Sequence, residues 1–366
     1  MRGFESEDHA LIALNRLTQA YSRLGTKLLQ RFDSVSHFFA EYQPDEIELP
    51  PRLKDQLHLP HTDVIKREIE ADLKWLDLPG HSLISIFDQR YPALLKEIDD
   101  PPLCLYASGN PDLLNRDQVA IVGSRKPTQL GLKIAKQFAS ELSRLGIVIT
   151  SGLAYGIDAS AHTGALQESG ETIAVMGCGC DLIYPRSHER LAMRVGEKGI
   201  IVSEFPLRTR VQKRNFPQRN RLVTGLSLGT LVVEAAVKSG SLVSAYLALD
   251  QNREVYAVPG SIFSTQSVGC HQLIRDGAKL TESVSDILEE LPGYVILPPD
   301  SADDEPSSEK RKILEQLSAS PISPDELHEI TGIPINQLVS LLINLEIEDH
   351  IVGNQGGYVL AKRKSS

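Results

Sequence analysis

The sequence predicts an α/β protein with an extended Rossmann-like, doubly wound and mostly parallel sheet. A small helical domain should precede this sheet, and a winged-helix domain should follow it. Three observations lead to this prediction. Short apolar runs alternate with helix-length segments in the middle of the chain, residues 1–80 carry apolar side chains at helical spacing, and residues 310–362 contain three short helical patterns followed by a hairpin.

Six apolar runs define the central domain, residues 82–293. They are strand-length and nearly free of polar residues, which is typical of strands covered on both faces. Helix-length intervals separate them, so the strands should run parallel. The runs are VAIVG from Val119, IVIT from Ile147, TIAVMG from Thr172, IIVSE from Ile200, TLVVEA from Thr230 and EVYAVPG from Glu254. Glycines follow several strands, at the edge where such sheets bind ligands.

The flanking segments have different textures. Residues 1–80 predict a helical domain of the SAM or helix-hairpin-helix kind, because apolar side chains recur three or four residues apart, as at Leu11, Leu14 and Leu17. Residues 294–309 are rich in proline and acidic side chains and predict a linker. Residues 310–362 predict three helices and a hairpin, which is the order of a winged helix.

Composition bounds the class of protein. The chain has 366 residues, 41% of them hydrophobic, and a formal net charge of −10. Its longest apolar runs are far shorter than the roughly 20 residues that a membrane span needs, and the charged N-terminus does not resemble a signal peptide. The cytoplasm is therefore the expected compartment. The four cysteines lack the paired spacing of zinc ribbons, so we expect free thiols and no metal.

A basic stripe stands out against the acidic net charge. Residues 208–221 read RTRVQKRNFPQRNR, with six Lys or Arg and no acid. Salt confines the influence of each charge to about 8–10 Å, so such a stripe attracts phosphate even on an acidic protein. We expect Lys213, Arg219 and Arg221 to contact phosphates. Asn220 offers an amide group, and the Phe216 ring can stack on a base. The alternative is a solvated basic loop with the phenylalanine packed into the core.

The turn after the first buried strand is a candidate phosphate site. It reads Gly123-Ser124-Arg125 and leads into a helix, whose free N-terminal amides favour anions, while the arginine offers a bidentate fork. Arg186 follows the Tyr-Pro pair of a later turn and lies either near phosphate or on a solvated helix surface. The dinucleotide fingerprint G-x-G-x-x-G is absent, which argues against NAD binding.

The turn SGLAYGIDASAH offers further close backbone approach, and its candidate residues are Ser151, Gly152 and Gly156. Asp158 is expected to cap the next helix, with His162 one turn later. A capping acid with a surface histidine is favoured over a catalytic pair. A third anion-friendly turn, Ser239-Gly240-Ser241, follows the strand that ends near Glu234. That glutamate would act either as a catalytic carboxylate or as an anchor for a basic side chain.

Taken in order, these segments resemble the DNA processing protein A family, called DprA or Smf. The resemblance covers roughly residues 82–291 and rests on GSR, SGLAYGID, GCDLIYP, SEFP, NFPQRNR, VVEAAVKSGS, REVYAVPG and GCHQLIRDGA. Two departures are small. Asn252 stands where the family often has glycine, and His271 stands where it often has asparagine.

The resemblance implies a homodimer that binds single-stranded DNA, protects incoming DNA in natural transformation and loads the RecA recombinase, including onto DNA that already carries single-strand-binding protein. It implies no catalytic activity and no cofactor. The family's DNA pocket maps onto Arg125, Arg186, Lys213, Phe216 and residues 219–221. The full candidate DNA-binding set is Gly123, Ser124, Arg125, Ser151, Gly152, Gly156, Arg186, Lys213, Phe216, Arg219, Asn220, Arg221, Ser239, Gly240 and Ser241.

Two other functions stay open on the residues alone. A Rossmann-like nucleotide hydrolase would use the motif G-G-x-G-T-x-x-E, of which Gly229, Thr230 and Glu234 give a partial echo with one residue too many before the glutamate. A winged helix could instead read duplex DNA with residues 336–345. That segment contains no Lys or Arg and is followed by acids, so we expect phosphate to repel it and the domain to bind a partner or regulate.

Overall fold

The structure of the protein, a computed structural model, describes residues 4, 6–19, 22–29, 32–41, 49–58, 62–167, 170–291, 308–317, 321–347, 350–354 and 357–360. The chain forms two compact units, Met1–Val295 and Ile296–Ser366. Most of the predicted linker, residues 294–307, lies outside the described residues. Within the described ranges, no helix is long and apolar enough to cross a membrane.

The first unit begins with helices, as the apolar spacing predicts. Those in the described residues are α1 (Glu7–Thr18), α2 (Ser22–Leu29), α3 (Val35–Glu41), α4 (Pro51–His58) and α5 (Asp63–Leu76). The Glu7 carboxylate accepts the amide hydrogens of Val35 at 2.6 Å and Ser36 at 3.0 Å, which caps α3. The buried leucines of α1 share one hydrophobic core with Ala174 and Ile201, so these helices pack directly against the sheet of the central domain.

A nine-stranded sheet lies at the centre of this unit. Its strands are β1 (His81–Ser85), β2 (Cys104–Gly109), β3 (Gln118–Val122), β4 (Val148–Ser151), β5 (Thr172–Val175), β6 (Ile200–Ser203), β7 (Gly229–Val232), β8 (Glu254–Ala257) and β9 (Lys279–Leu280). The order across the sheet is β1-β2-β6-β5-β4-β3-β7-β8-β9. Strands β3 to β9 pair in parallel, and β1 and β2 form an antiparallel edge. The mostly parallel sheet predicted from the six apolar runs is confirmed.

Helices cover both faces of the sheet. They are α6 (Ala93–Lys96), α7 (Gln129–Arg144), α8 (Ile157–Ala165), α9 (Glu189–Lys198), α10 (Asn215–Gly225), α11 (Gly240–Asp250), α12 (Val268–Arg275) and α13 (Val284–Leu288). Ile173 and Val175 of β5 join the core formed with α10, α11 and α12, whereas Ala174 joins the core on the other face with α9. Because successive strand residues point to opposite faces, this two-sided covering explains the unbroken apolar runs.

The second unit has the predicted winged-helix order. Its elements are α14 (Ser308–Gln316), α15 (Pro324–Thr331), α16 (Ile335–Ile347), β10 (Ile351–Asn354) and β11 (Gly357–Leu360). The two strands pair antiparallel as a hairpin. Ser323 and Glu326 form a capping box at the start of α15, and Gly332 ends that helix with φ +71°. Leucines and isoleucines of all three helices form a separate small core.

Candidate nucleic-acid interface

The turns after β3 and β4 meet at the carboxyl edge of the sheet, because parallel strands end on the same side. The Ile157 amide donates to the Ser124 carbonyl at 3.2 Å, which joins the first turn to the second. Gly156 has φ +79°, and a Cβ there would lie 2.3 Å from the Ser124 oxygen. The contact therefore requires glycine. A Cβ on Gly123 would likewise lie 2.6 Å from the Ile157 side chain, so both glycines shape the turns rather than face a ligand.

Ser151 and Asp158 hold the second turn from inside. The Ser151 hydroxyl is fully buried and donates to the Ile121 carbonyl at 2.7 Å. The Asp158 carboxylate accepts the amide hydrogens of Gly152 at 3.2 Å and Ala154 at 3.3 Å, so it closes the turn before α8 instead of capping that helix. Both groups are internal supports, and the structure does not expose the Ser151 side chain to a ligand.

His162 is fully buried against the sheet and not at the surface as predicted. Its Nδ1–H donates to the Thr172 hydroxyl at 2.8 Å, because that hydroxyl donates its own proton to the Ile149 carbonyl at 2.5 Å. Within the described residues, Nε2 has no hydrogen-bond partner. Burial, with smaller contributions from Arg219 and His188, lowers the pKa of His162 to about 3.

The buried histidine predicts a pH dependence of stability. At pH values between the ordinary histidine pKa of 6.5 and the folded value of about 3, His162 is protonated in the unfolded chain but neutral in the folded protein. The free energy of unfolding should therefore fall as pH drops through this window, by at most about 1.4 kcal/mol per pH unit from this group.

Denaturant unfolding of the parent and of His162→Leu measures this contribution. Below pH 6.5 the variant should lose stability less steeply than the parent. Asp158, whose pKa burial raises, acts in the opposite direction but is present in both proteins, so the difference isolates the histidine. Parallel curves for the two proteins would contradict the assignment.

Arg219 is buried inside the protein, whereas the sequence predicted that it would contact phosphate. Its side chain is only 3% exposed. The guanidinium donates to the Gly152 carbonyl at 2.7 Å and to the Val175 carbonyl, so it ties the second turn to the end of β5. Burial lowers its pKa, and the nearby Asp158 carboxylate opposes that effect. A Cβ on Gly152 would lie 2.5 Å from the guanidinium, which explains why glycine occupies this position.

Arg221 is also withdrawn from the surface, with 7% of the residue exposed. It forms an ion pair with Glu204, and its Nε lies 3.4 Å from an Asp100 carboxylate oxygen. A phosphate would have to displace these buried acids. Asn220 is half-buried and its amide oxygen accepts from Nε of Arg219 at 3.2 Å. The sequence assignment of phosphate contacts to Arg219 and Arg221 therefore needs correction, because both side chains are buried and already contact protein carbonyls or carboxylates.

Phe216 lies where α10 meets the turns after β3 and β5. Its ring is half-buried and packs on the backbone after β5. A Cβ added to Gly177 would lie 3.2 Å from the nearest atom of this ring. The Tyr184 ring centroid is 5.7 Å away, and the Arg125 guanidinium lies 5.2 Å from the Phe216 centroid. We call Phe216, Tyr184 and Arg125 the Phe216 cluster. Its rings and cation come from α10 and from the turns after β5 and β3.

Exposed cations occur in this cluster and close to its members in the chain. Arg125, Arg186 and Lys213 are all solvent-exposed, and in the described part of the chain none of them forms an ion pair. Arg186 begins a single 3-10 turn, Arg186–His188, two residues after Tyr184. The Phe216 cluster therefore presents aromatic faces beside exposed positive charges that form no ion pair with any carboxylate in the described ranges.

Sequence reasoning did not single out two tyrosines at this edge. Tyr184 is 43% exposed and Tyr155 is 47% exposed. Tyr155 packs edge-on against His188 at 5.0 Å, and its hydroxyl lies 3.1 Å from the Ser187 hydroxyl, which joins the second turn to the segment after Tyr184. Their place in the loops that follow β4 and β5 was the available signal.

The turn at Ser239-Gly240-Ser241 belongs to a different part of the edge. The Ser239 hydroxyl accepts the Leu242 amide at 3.3 Å and so caps α11. Its surroundings form an apolar groove that includes the exposed side chains of Val237, Val243 and Tyr246. The described contacts do not join this turn to the Phe216 cluster.

Glu234 is engaged in structural hydrogen bonds. Its carboxylate accepts the Thr128 amide hydrogen at 2.9 Å and the Thr128 hydroxyl at 2.5 Å, at the N-terminus of α7. A Cβ on Gly131 would lie 2.5 Å from the Glu234 carboxyl carbon, so the carboxylate fits tightly over the first turn of that helix. This arrangement anchors a helix and favours neither of the roles that the sequence left open for Glu234.

Comparison with known families matches residues 82–292 to the model described as DNA recombination-mediator protein A, which covers more than half of the chain. The chain belongs to the DprA/Smf family. A second model, the DprA winged helix domain, matches residues 297–357. The resemblance seen in the sequence motifs is thereby confirmed.

Relatives of this DprA/Smf family member include Protein Smf of Escherichia coli K12, 40% identical over 307 residues, which are 81% of this chain and 82% of the relative. DNA processing protein DprA of Bacillus subtilis is 45% identical over 214 residues, 58% of this chain and 72% of the relative.

Two solved DprA structures share the fold. The crystal structure of DprA from Streptococcus pneumoniae aligns with a TM-score of 0.68 and 35% identity, covering 78% of this chain and 98% of that one. The structure from Helicobacter pylori, which describes a single-stranded DNA binding mode, aligns with a TM-score of 0.52 and 32% identity, covering 57% and 93%.

Proposed function

We propose that this chain binds single-stranded DNA, without sequence preference, across the Phe216 cluster and the exposed cations Arg186 and Lys213. The observation that carries the proposal is the partly exposed Phe216 ring, with the Arg125 guanidinium 5.2 Å from its centroid. An unpaired base can stack on an aromatic face, whereas a base inside a duplex cannot reach one. Arg186 and Lys213, for which the described residues show no ion pair, then contact the phosphates.

The DprA/Smf family supports this function, since the H. pylori relative is described as binding single-stranded DNA. On this proposal, the candidate DNA-binding residues fall into direct ligands and residues that support the site. Arg125, Arg186, Lys213 and Phe216 are the direct ligands, whereas Arg219 and Gly152 hold the turns in place. Ser239–Ser241 lie in the separate groove and are outside the proposed contact surface.

We propose that the protein, when bound to single-stranded DNA, acts in recombination. On this proposal the protein protects incoming single strands in natural transformation and loads RecA onto them, also where single-strand-binding protein is present. It acts in the cytoplasm as a homodimer. The apolar groove beside Ser239, with exposed Val237, Val243 and Tyr246, supports association with a second copy, because exposed apolar patches of this kind mark protein contacts. The winged-helix domain serves a partner or a regulatory step.

A salt titration with single-stranded and duplex DNA of equal length tests the proposal on the full chain. We expect the single strand to bind at least tenfold more tightly than the duplex at equal salt. The logarithm of its binding constant should fall linearly with the logarithm of salt concentration, by about 0.7 for each phosphate contacted. Equal affinity for both forms would contradict stacking at Phe216 and would favour the winged helix as a duplex reader.

A further inference from the structure

A second basic cleft lies between the N-terminal helices and the segment 205–218. Its lining includes three arginines of the basic stripe that were not in the candidate DNA-binding set. Its volume is about 650 Å³. The arginines that line it are Arg16, Arg52, Arg208, Arg210 and Arg214, and among the described lining residues Glu68 is the one acid. A cleft so rich in guanidinium groups fits a phosphodiester backbone, because each group offers paired donors to phosphate oxygens.

The acids beside the cleft already form ion pairs with arginines. Arg16 pairs with Glu68 at 2.8 Å and with the fully buried Asp72 at 2.6 Å. Arg208 also contacts Asp72, at 3.2 Å. Two arginines are therefore matched by two carboxylates.

The other three arginines carry the excess positive charge. Arg52, Arg210 and Arg214 are exposed, and no ion pair to any of them occurs among the residues that the structure describes. An anion entering the cleft would meet uncompensated charge on both walls, because Arg52 belongs to α4 and the other two precede α10.

Protein contacts fix the shape of the wall that carries Arg210. The Arg208 amide donates to the Asp181 carboxylate at 2.8 and 3.0 Å, and Arg208 adopts φ +64°. On the other side, the Gln19 side-chain amide donates to the Thr209 hydroxyl at 3.1 Å. The segment is thus held between the helices and the turn after β5 before any ligand binds. A preformed wall loses little conformational entropy on binding.

The cleft reaches the residues that directly precede Phe216 in the chain. Arg214, which lines it, is the residue before α10, and Asn215 donates its side-chain amide to the Gly177 carbonyl at 3.1 Å. Phe216 is the next residue of that helix. A strand with bases stacked at Phe216 therefore has a basic path for its backbone on the side of the N-terminal helices.

We propose that this cleft is the continuation of the DNA track, in which the N-terminal helices supply one wall and Arg52 and Arg210 contact phosphates of the same single strand. This inference rests on the proposed function and assigns a binding role to the N-terminal helical domain. It also predicts that affinity keeps rising with oligonucleotide length beyond the length that fills the Phe216 cluster.

The test compares the full-length double variant Arg52→Gln, Arg210→Gln with a matched control, Lys198→Gln, Arg275→Gln. The control residues are exposed at the ends of α9 and α12, just before β6 and β9, so they lie at the opposite edge of the sheet. The probes are oligothymidylates of about 6 and about 20 nucleotides. We expect the cleft variant to bind the long probe about tenfold more weakly, with the salt slope reduced by about 1.4, and the short probe within about twofold of the parent.

Long-probe affinity and salt slope equal to those of the control would overturn the inference. So would binding of a polyglutamate peptide that the cleft variant loses while its long-probe affinity is unchanged, because the cleft would then serve an acidic protein partner. A Phe216→Ala variant run beside these proteins separates the two proposals. If it weakens neither probe, the proposed function fails, whereas loss at Phe216 with an unaffected cleft variant overturns only the inference.

Discussion

Phe216→Ala is expected to weaken binding of single-stranded DNA by roughly 5- to 150-fold, because stacking of one base contributes about 1–3 kcal/mol. The salt slope should change little, since no phosphate contact is removed. Arg125→Gln should behave differently, with a smaller loss of affinity and a slope reduced by about 0.7. Fluorescence anisotropy at several salt concentrations measures both quantities.

Phe216→Tyr is the matched control for this experiment, because it keeps the aromatic face and should retain the parent affinity. Phe216→Leu keeps much of the volume but not the aromatic face, and it should resemble the alanine variant. An equal reduction in slope for the alanine variant and for Arg125→Gln would remove the stacking role. The Arg125 guanidinium lies 5.2 Å from the ring, so the comparison also shows whether the two groups act together.

Arg221→Met should lower the free energy of unfolding by about 3–5 kcal/mol, because it leaves the buried Glu204 carboxylate without its cation. Burial already raises the pKa of Glu204, and Arg221 opposes that effect. Without the arginine, the buried Glu204 carboxylate is stabilised by taking up a proton. The destabilisation should therefore be largest at neutral pH and should shrink in acid.

The double variant Arg221→Met, Glu204→Gln tests this account of the buried arginine. It should recover part of the stability that Arg221→Met loses, since one uncompensated charge is gone. Lys198→Met, which removes an exposed cation, should change stability by less than about 0.5 kcal/mol. A loss at Arg221 no larger than the loss at Lys198 would mean that the arginine is not a buried structural group and would restore it as a surface ligand.

The parallel sheet was predictable because each strand is a contiguous apolar run, and local sequence determines such runs. The antiparallel strands β1 and β2 were less accessible, since Leu103 to Ala107 follows prolines and has no neighbouring strand pattern. The packing of α1 on the sheet depends on contacts between residues far apart in sequence. Periodicity reveals a buried helix face but not what covers it.

The candidate site divides in the same way. Phe216 and Arg125 could be identified from residue type and position after a strand. Arg219 and Arg221 share the same basic stripe, and no acid lies near them in sequence, yet Glu204 and Asp100 reach Arg221 only through the fold. Charge patterning along the chain therefore shows which residues are cationic, whereas burial decides which cations are free to bind phosphate.

Photo-crosslinking of an oligonucleotide that carries 5-iodouracil to the full chain, with the attachment sites mapped by mass spectrometry, tests the DNA-binding surface most directly. Crosslinks should form at Phe216 and Tyr184, because their rings lie where unpaired bases would stack, and they should disappear in excess unlabelled single strand. Crosslinks confined to the winged-helix unit, or to the opposite edge of the sheet, would contradict the account.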